Sequence, residues 1–180
     1  MSKEKSTTAI RANRIFDGQH WHADSAVLVS DERISGIYRV TEIPAEAEVT
    51  GPVDLLAPGF IAVQVNGGGG ALFNASPTPD CLRTIVAGHR ATGTTGMMPT
   101  VVSDDREIAE AAVDAVRTLQ AEGEASVLGI HMEGPYLAPE KRGVHAESKL
   151  RALDEDDLSW LISLTDLRVL LTVAPEIVSA

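Results

Sequence analysis

The sequence has few cysteines, few aromatic residues, few positive charges and no long hydrophobic run. Cys81 is the only cysteine among 180 residues, so an internal disulfide and a thiolate metal cluster are both excluded. Aromatic residues make up 4% of the chain although 44% of it is hydrophobic, which predicts a core of mainly aliphatic side chains. A chain of this length is expected to form one domain or slightly more.

The charge balance is acidic and argues against nucleic-acid binding. Lys and Arg number 15 against 26 Asp and Glu, a net charge of -11, and the basic residues are scattered along the chain. No apolar run approaches the ~18 residues of a membrane span, and residues 1–12 lack the apolar segment of a secretory signal. With the single cysteine, these features predict a cytoplasmic protein that binds neither nucleic acid nor membranes.

The pattern of predicted secondary structure changes near residue 57. Residues 7–57 alternate short β-rich runs with turns, which predicts a small antiparallel β unit. Later residues repeat a strand–loop–helix pattern, which predicts parallel strands joined by crossover helices. The predicted strands are 59–65, 95–99, 126–132 and 167–173, and the predicted helices are 79–91, 104–121 and 154–164.

Glu133 lies in the motif HMEGPY and is the first candidate for chemistry. Residues 126–130 have the composition of a strand, and Gly134-Pro135 ends it, so Glu133 is expected at the strand's C-terminal end. In barrel enzymes that end of the strands carries the active site.

Gln64 and Asn66 form a second candidate site on strand 59–65. Alternation places both amides on one face and Ile61, Val63 and Val65 on the opposite one, where the three are expected to pack. Buried amides need hydrogen-bond partners. The pair therefore either holds a neighbouring loop or binds a ligand or water.

Gly67 to Gly70 form a run of four glycines that could cradle a phosphate or form a tight turn. No Gly-Lys-Ser/Thr follows, and the GxGxxG spacing is absent. The turn is the favoured interpretation.

Other polar residues have ordinary structural interpretations. His20 and His22 have the spacing of a metal pair, but their place after Asp17-Gly18 favours a solvated hairpin. His89 falls in a helix and is expected to be structural. The acidic run 154–157 is expected to be a helix start whose carboxylates complement the helix dipole.

Several motifs together resemble one enzyme family. They are APGFIAVQVNGGGG (57–70), TGTT (92–95), PT (99–100), HMEGPY (131–136), KRGVH (141–145) and APE (174–176). In order and spacing they resemble the N-acetylglucosamine-6-phosphate deacetylases of the amidohydrolase superfamily, and the resemblance covers nearly the whole chain.

The resemblance implies an α/β fold in two parts. Residues 1–56 would be the N-terminal part of a small β-sandwich domain. Residues 57–180 would be the first four βα units of a metal-dependent-hydrolase (β/α)8 TIM-like barrel, truncated before closure. A closed barrel takes ~250 residues, so the open half is expected to need a partner or a continuation.

The resemblance also implies an activity. This is the metal-dependent hydrolysis of N-acetylglucosamine 6-phosphate to glucosamine 6-phosphate and acetate in amino-sugar catabolism. One divalent metal ion is implied, zinc being expected and iron, cobalt or manganese being alternatives, and full-length relatives are expected to be homodimers. A non-catalytic remnant or interaction module of the same fold is the alternative.

The resemblance implies a metal site at residues of this chain that match the family's motifs. Glu133 matches a metal ligand. Gln64 and Asn66 stand where many amidohydrolases have a His-x-His pair, and because amides are poor zinc ligands the substitution fits a single-metal site. His131, on the same strand face as Glu133, is either a second ligand or a hydrogen-bonding support.

The resemblance also implies which residues contact the substrate and where the general base lies. Val144 and His145 match a loop that contacts the sugar phosphate, although His145 could instead be a surface loop histidine. Two metal-binding histidines, further substrate contacts and an aspartate general base are expected beyond Ala180, so no catalytic residue is assigned within the chain and it is expected to be inactive alone. Ala62 replaces an aspartate common in the family, a loss worth roughly a kcal/mol or more of hydrogen bonding.

Overall fold

The computed structural model describes residues 7–178, which form two compact units that divide between Pro58 and Gly59. The first unit is a four-stranded sheet in the order β3-β2-β1-β4. Its strands are β1 (Thr7–Phe16), β2 (Trp21–Ser30), β3 (Arg33–Arg39) and β4 (Glu48–Leu56).

The prediction of a purely antiparallel unit is wrong for β4. Strands β1, β2 and β3 are antiparallel neighbours, but β4 pairs parallel to β1. The connection from β3 carries the chain from one edge of the sheet to the other, so β4 arrives beside β1 in the same direction. His22 lies on β2, where its Nε2 is 2.8 Å from Asp17 Oδ2. That contact supports the hairpin interpretation of His20 and His22.

The second unit alternates strands and helices, as predicted. Its elements are β5 (Phe60–Val65), β6 (Gly67–Gly68), β7 (Ala71–Leu72), α1 (Pro79–Arg90), β8 (Thr94–Val102), α2 (Arg106–Ala121), β9 (Ile130–Glu133), α3 (Glu155–Ser163) and β10 (Val169–Thr172). The main sheet has the order β10-β9-β8-β5, and every neighbouring pair in it is parallel. No helix among residues 7–178 is long and apolar enough to cross a membrane.

Two helices form the core of this unit against the sheet. Helix α1 starts at Pro79 behind the N-cap Thr78, whose hydroxyl accepts the Cys81 N–H. Apolar residues at helical spacing cover one face of each helix, as expected for amphipathic helices. The buried ones are Leu82, Ile85 and Val86 on α1 and Ala112, Val113, Ala115, Val116 and Leu119 on α2.

Strand β5 is less buried than its sequence predicts. Val65 is buried, but Ile61 and Val63 are 68% and 53% exposed, so the expectation that all three pack is wrong for two of them. The reason is topological, because β5 is an edge strand with β8 as its one neighbour in the sheet. Nothing in residues 7–178 pairs with its outer edge.

The four glycines form a tight turn. Strands β6 and β7 are a two-residue hairpin, and the turn residues Gly69 and Gly70 have φ of 59° and 83°, which suits glycine. His89 on α1 donates from Nε2 to the Gly67 carbonyl at 2.9 Å. The turn interpretation and the structural role of His89 both agree with this arrangement.

Candidate active site

Glu133 is the last residue of β9 and lies at the carboxyl end of the parallel sheet. It is paired with Val102 of β8 on one side and Thr172 of β10 on the other. Its side chain is 23% exposed, so the carboxylate is partly shielded yet accessible. The strand stops where Gly134-Pro135 follows, which is the position that the sequence predicts.

Asn66 approaches Glu133 from the end of β5. Its Nδ2 donates to Glu133 Oε2 at 3.4 Å. Gln64 is exposed, so the structure brings only one of the two predicted amides to the carboxylate. The contact gives the Asn66 amide a hydrogen-bond partner at a strand end instead of in a loop. Ligand binding by the pair stays a prediction.

His145 reaches the same carboxylate from the loop after β9. Its imidazole is 7% exposed, and Nε2 lies 3.8 Å from Glu133 Oε1. This burial contradicts the alternative of a surface loop histidine. Val144, also predicted to contact substrate, is 96% exposed on the same loop.

Ser103 belongs to this site although the sequence analysis did not select it. It is 6% exposed, and its Oγ lies 2.8 Å from His145 Nδ1. Ser103 directly follows β8, so it occupies the same kind of strand-end position as Glu133. Selecting the polar residue after every predicted strand would have included it.

His131 supports the strands beneath Glu133. It is 4% exposed, its Nδ1 lies 3.3 Å from Thr100 Oγ1, and its Nε2 lies 2.8 Å from Thr172 Oγ1. Thr100 Oγ1 also accepts the Val65 N–H at 2.8 Å, so the contacts cross all four strands of the sheet. Because both ring nitrogens are engaged, the geometry favours a supporting role for His131 over a metal ligand.

The loop that carries His145 is attached to helix α3 by a buried ion network. Asp157 is 4% exposed and accepts hydrogen bonds from Arg106 Nη1 and Arg151 Nε, both at 2.7 Å. The acidic run does start a helix, as predicted, because Asp154 caps it by accepting the Asp157 N–H. The burial of Asp157 within this run is an additional finding.

Hydrogen bonds and positive charge affect the pKa of Asp157 more than its burial does. Burial alone would raise the pKa of Asp157, but hydrogen bonds and charge from Arg151, with further hydrogen bonds from Tyr136 and Arg106, lower it below its usual value. Burial and the Asp157 carboxylate raise the pKa of Tyr136 to about 12. The network therefore holds an ionised aspartate between two arginines.

Comparison with known proteins finds similarity to amino-sugar-phosphate deacetylases. The chain is 48% identical over 126 residues to N-acetylgalactosamine-6-phosphate deacetylase of Shewanella sp. (strain ANA-3), covering 69% of this chain and 32% of that protein. It is 30% identical over 157 residues to N-acetylglucosamine-6-phosphate deacetylase of Haemophilus influenzae, covering 85% and 40%. No family model matches the chain.

A solved structure agrees with these relatives. The crystal structure of N-acetylglucosamine-6-phosphate deacetylase from Pasteurella multocida matches with a TM-score of 0.85 and 28% identity, over 95% of this chain and 45% of that one. The chain is homologous to the amino-sugar-phosphate deacetylases. The predicted fold is confirmed, because the parallel sheet corresponds to part of the amidohydrolase (β/α)8 barrel of these deacetylases. The chain spans less than half the length of each of these relatives.

The candidate site in this chain has one carboxylate suited to a divalent cation. Among residues 7–178 no group of three or more His, Cys, Asp or Glu side chains is close enough to hold a metal. Glu133 fits as one ligand, because its carboxylate is accessible and is oriented by an amide donor. The described residues thus fit one position of a coordination sphere and do not complete a tetrahedral set.

Proposed function

We propose that this chain provides the Glu133 side of an active site that hydrolyses the acetamide of N-acetylglucosamine 6-phosphate to glucosamine 6-phosphate and acetate. The observation that carries the proposal is the convergence of Asn66, Glu133 and His145 at the carboxyl end of the parallel sheet. The same end of the sheet carries the chemistry in barrel enzymes.

Glu133 would be the first protein ligand of a single divalent cation, with zinc preferred and iron, cobalt or manganese as alternatives. When bound, such a cation acidifies a water molecule and polarises an amide carbonyl. Asn66 would keep the carboxylate oriented. Gln64 and Asn66, as amides in place of imidazoles, suit a site with one metal.

His145 would contact the substrate. Its Nε2 lies 3.8 Å from Glu133 Oε1, which exceeds hydrogen-bond length, so the imidazole could donate to a ligand oxygen bound beside the carboxylate. A donor aimed at an acyl oxygen stabilises the charge that develops during amide hydrolysis. Val144, exposed beside it, would lie at the rim of the substrate site.

The remaining machinery would come from residues that this chain does not contain. A general base and two histidine ligands are expected from later strands, so the 180 residues alone should not turn over substrate. A cytoplasmic location and a homodimer of the full-length protein stay predictions.

N-acetylgalactosamine 6-phosphate is the second candidate substrate. The relative with 48% identity carries that name, whereas the relative with 30% identity is named for the glucosamine compound. The two sugars differ in the configuration of one ring hydroxyl, and both present the same acetamide and phosphate.

Calorimetric titration of zinc tests the role of Glu133. We expect weak binding to the wild-type chain and at least about a tenfold loss in Glu133→Gln, because one ligand charge is removed. Glu140→Gln is the matched control, since Glu140 is an exposed carboxylate on the same loop. Equal binding by Glu133→Gln and wild type would contradict the proposal.

Acetate release from both sugar phosphates tests the activity. We expect none from the chain alone with added zinc. Turnover that Glu133→Gln abolishes would confirm deacetylation and overturn the expectation of inactivity. A wild-type chain that binds neither zinc nor either sugar phosphate would favour a non-catalytic remnant.

A further inference from the structure

Ser103 contacts His145 through two different groups, and the pair is almost fully buried. Its Oγ lies 2.8 Å from His145 Nδ1, and its main-chain N–H points at the same nitrogen with an N–N distance of 3.4 Å. A main-chain N–H can only donate, so Nδ1 is the acceptor. A neutral imidazole carries one proton, which must then lie on Nε2.

We propose that Ser103 is a positioning residue that holds His145 as the Nε2–H tautomer, with that N–H directed toward the space beside Glu133. The proposal rests on the proposed function for the role of His145 itself. It adds the residue that selects the tautomer and fixes the ring.

Packing around the pair supports a fixed ring. Ser103 and His145 are 6% and 7% exposed, so water does not compete freely for Nδ1. A Cβ at Gly134 would overlap Ser103 Oγ, which shows that the hydroxyl fills the available space. Arg142 Nη1 donates to the His145 carbonyl at 2.8 Å, so the main chain of His145 is held as well.

Because Ser103 lies beside a histidine and a glutamate, the alternative is that it acts as a nucleophile, as serine does in a catalytic triad. A nucleophilic oxygen must reach the substrate. Ser103 Oγ lies 2.8 Å from His145 Nδ1 and 3.5 Å from the Glu133 carbonyl oxygen, and it packs against Gly134. The hydroxyl is therefore placed to orient His145, and its burial argues against attack on a substrate.

The tautomer makes a functional difference. With the proton on Nε2, the imidazole presents a donor to a ligand oxygen beside Glu133. With the proton on Nδ1, Nε2 would present a lone pair, which repels a carbonyl or phosphate oxygen. Ser103 thus selects which kind of ligand atom His145 can contact.

Long-range 1H–15N NMR of the histidine rings tests this in the intact chain at about pH 9, where imidazolium is deprotonated. We expect a protonated Nε2 and an unprotonated Nδ1 for His145. Ser103→Ala removes the 2.8 Å hydroxyl contact and leaves only the longer main-chain contact at 3.4 Å. We therefore expect a fraction of the Nδ1–H form to appear, seen as convergence of the two nitrogen shifts. Ser126→Ala is the matched control, because Ser126 is also 6% exposed but bonds Glu124.

Two outcomes would overturn the proposal. One is a wild-type His145 protonated on Nδ1, which needs no variant to be interpreted. The other is a Ser103→Ala chain with a native amide spectrum and unchanged His145 nitrogen shifts.

Adding N-acetylglucosamine 6-phosphate to the same samples separates this proposal from the proposed function. A wild-type ring in the Nε2–H state that does not respond to the sugar phosphate would contradict substrate contact by His145. The positioning role of Ser103 would still be supported by that result.

Discussion

Asn66 Nδ2 donates to Glu133 Oε2 at 3.4 Å although their strands, β5 and β9, are not neighbours and β8 lies between them. The two side chains meet across β8 near the carboxyl edge of the sheet. The contact therefore depends on the positions of β5 and β9 on the two sides of β8.

Asn66→Asp should replace this donor with a second carboxylate. Like charges raise the pKa of one member of the pair above its unfolded value, so the variant loses stability as pH rises through that pKa. We expect a loss of about 1 kcal/mol at pH 7 that shrinks toward pH 4. Urea unfolding at both pH values measures it. Asn13→Asp, beside Asp54 in an exposed pair, should show a smaller effect.

Asp157→Asn should strongly destabilise the second unit. It leaves Arg106 and Arg151 without their shared buried carboxylate, and breaking such a network costs about 3 to 5 kcal/mol. The lowered pKa of Asp157 gives stability that is present above about pH 4 and is lost as pH falls through the folded-state value. Urea unfolding should show this acid loss in wild type and in the exposed control Asp156→Asn. The loss should be smaller in Asp157→Asn, and equal acid losses would contradict the argument.

Thr100→Val and Thr172→Val should lower the free energy of unfolding by different amounts, although each removes one hydroxyl contact of His131. Thr100 is fully buried, and its loss also leaves the Val65 N–H without an acceptor, so we expect about 1 to 3 kcal/mol. Thr172 is exposed, and water can replace its hydroxyl, so we expect less than about 1 kcal/mol. Chemical denaturation gives both values, and the reverse order would exclude the proposed network.

Gly88→Ala should destabilise α1 although alanine is the better helix former. An added Cβ would lie 2.6 Å from the main-chain nitrogen of Gly69, so the glycine turn must move. We expect a net loss of about 1 to 3 kcal/mol by thermal or urea unfolding. Ala87→Gly on the exposed face measures propensity alone and should cost about 1 kcal/mol. A stabilising Gly88→Ala would show that the turn does not pack on the helix.

Local signals predicted most of the second unit. The Gly134-Pro135 stop places Glu133 at a strand end, and the apolar spacing of residues 104–121 predicts α2 to within two residues. These features depend on neighbours in sequence, where turn chemistry and helical periodicity act. The parallel pairing of β4 depends on a crossover, which local composition does not encode.

Contacts between residues far apart in the sequence could not be predicted from local patterns. Asp157 lies in an acidic run that resembles any helix start, and its burial depends on Arg106, which lies 51 residues away. Ser103 and His145 are separated by 42 residues. Each is an ordinary polar residue in its own segment and gains its role only when the strands align.

The loop between β9 and α3 is held by hydrogen bonds at its middle and near its end. His145 is held by Ser103, and Arg151 is held by Asp157 and by the Pro135 carbonyl. Loop and helix should therefore form one cooperative opening unit in hydrogen exchange. The amide protons of Arg151 and of the α3 interior should exchange with a common opening free energy. The His145 imidazole would then leave its position only when the helix also opens.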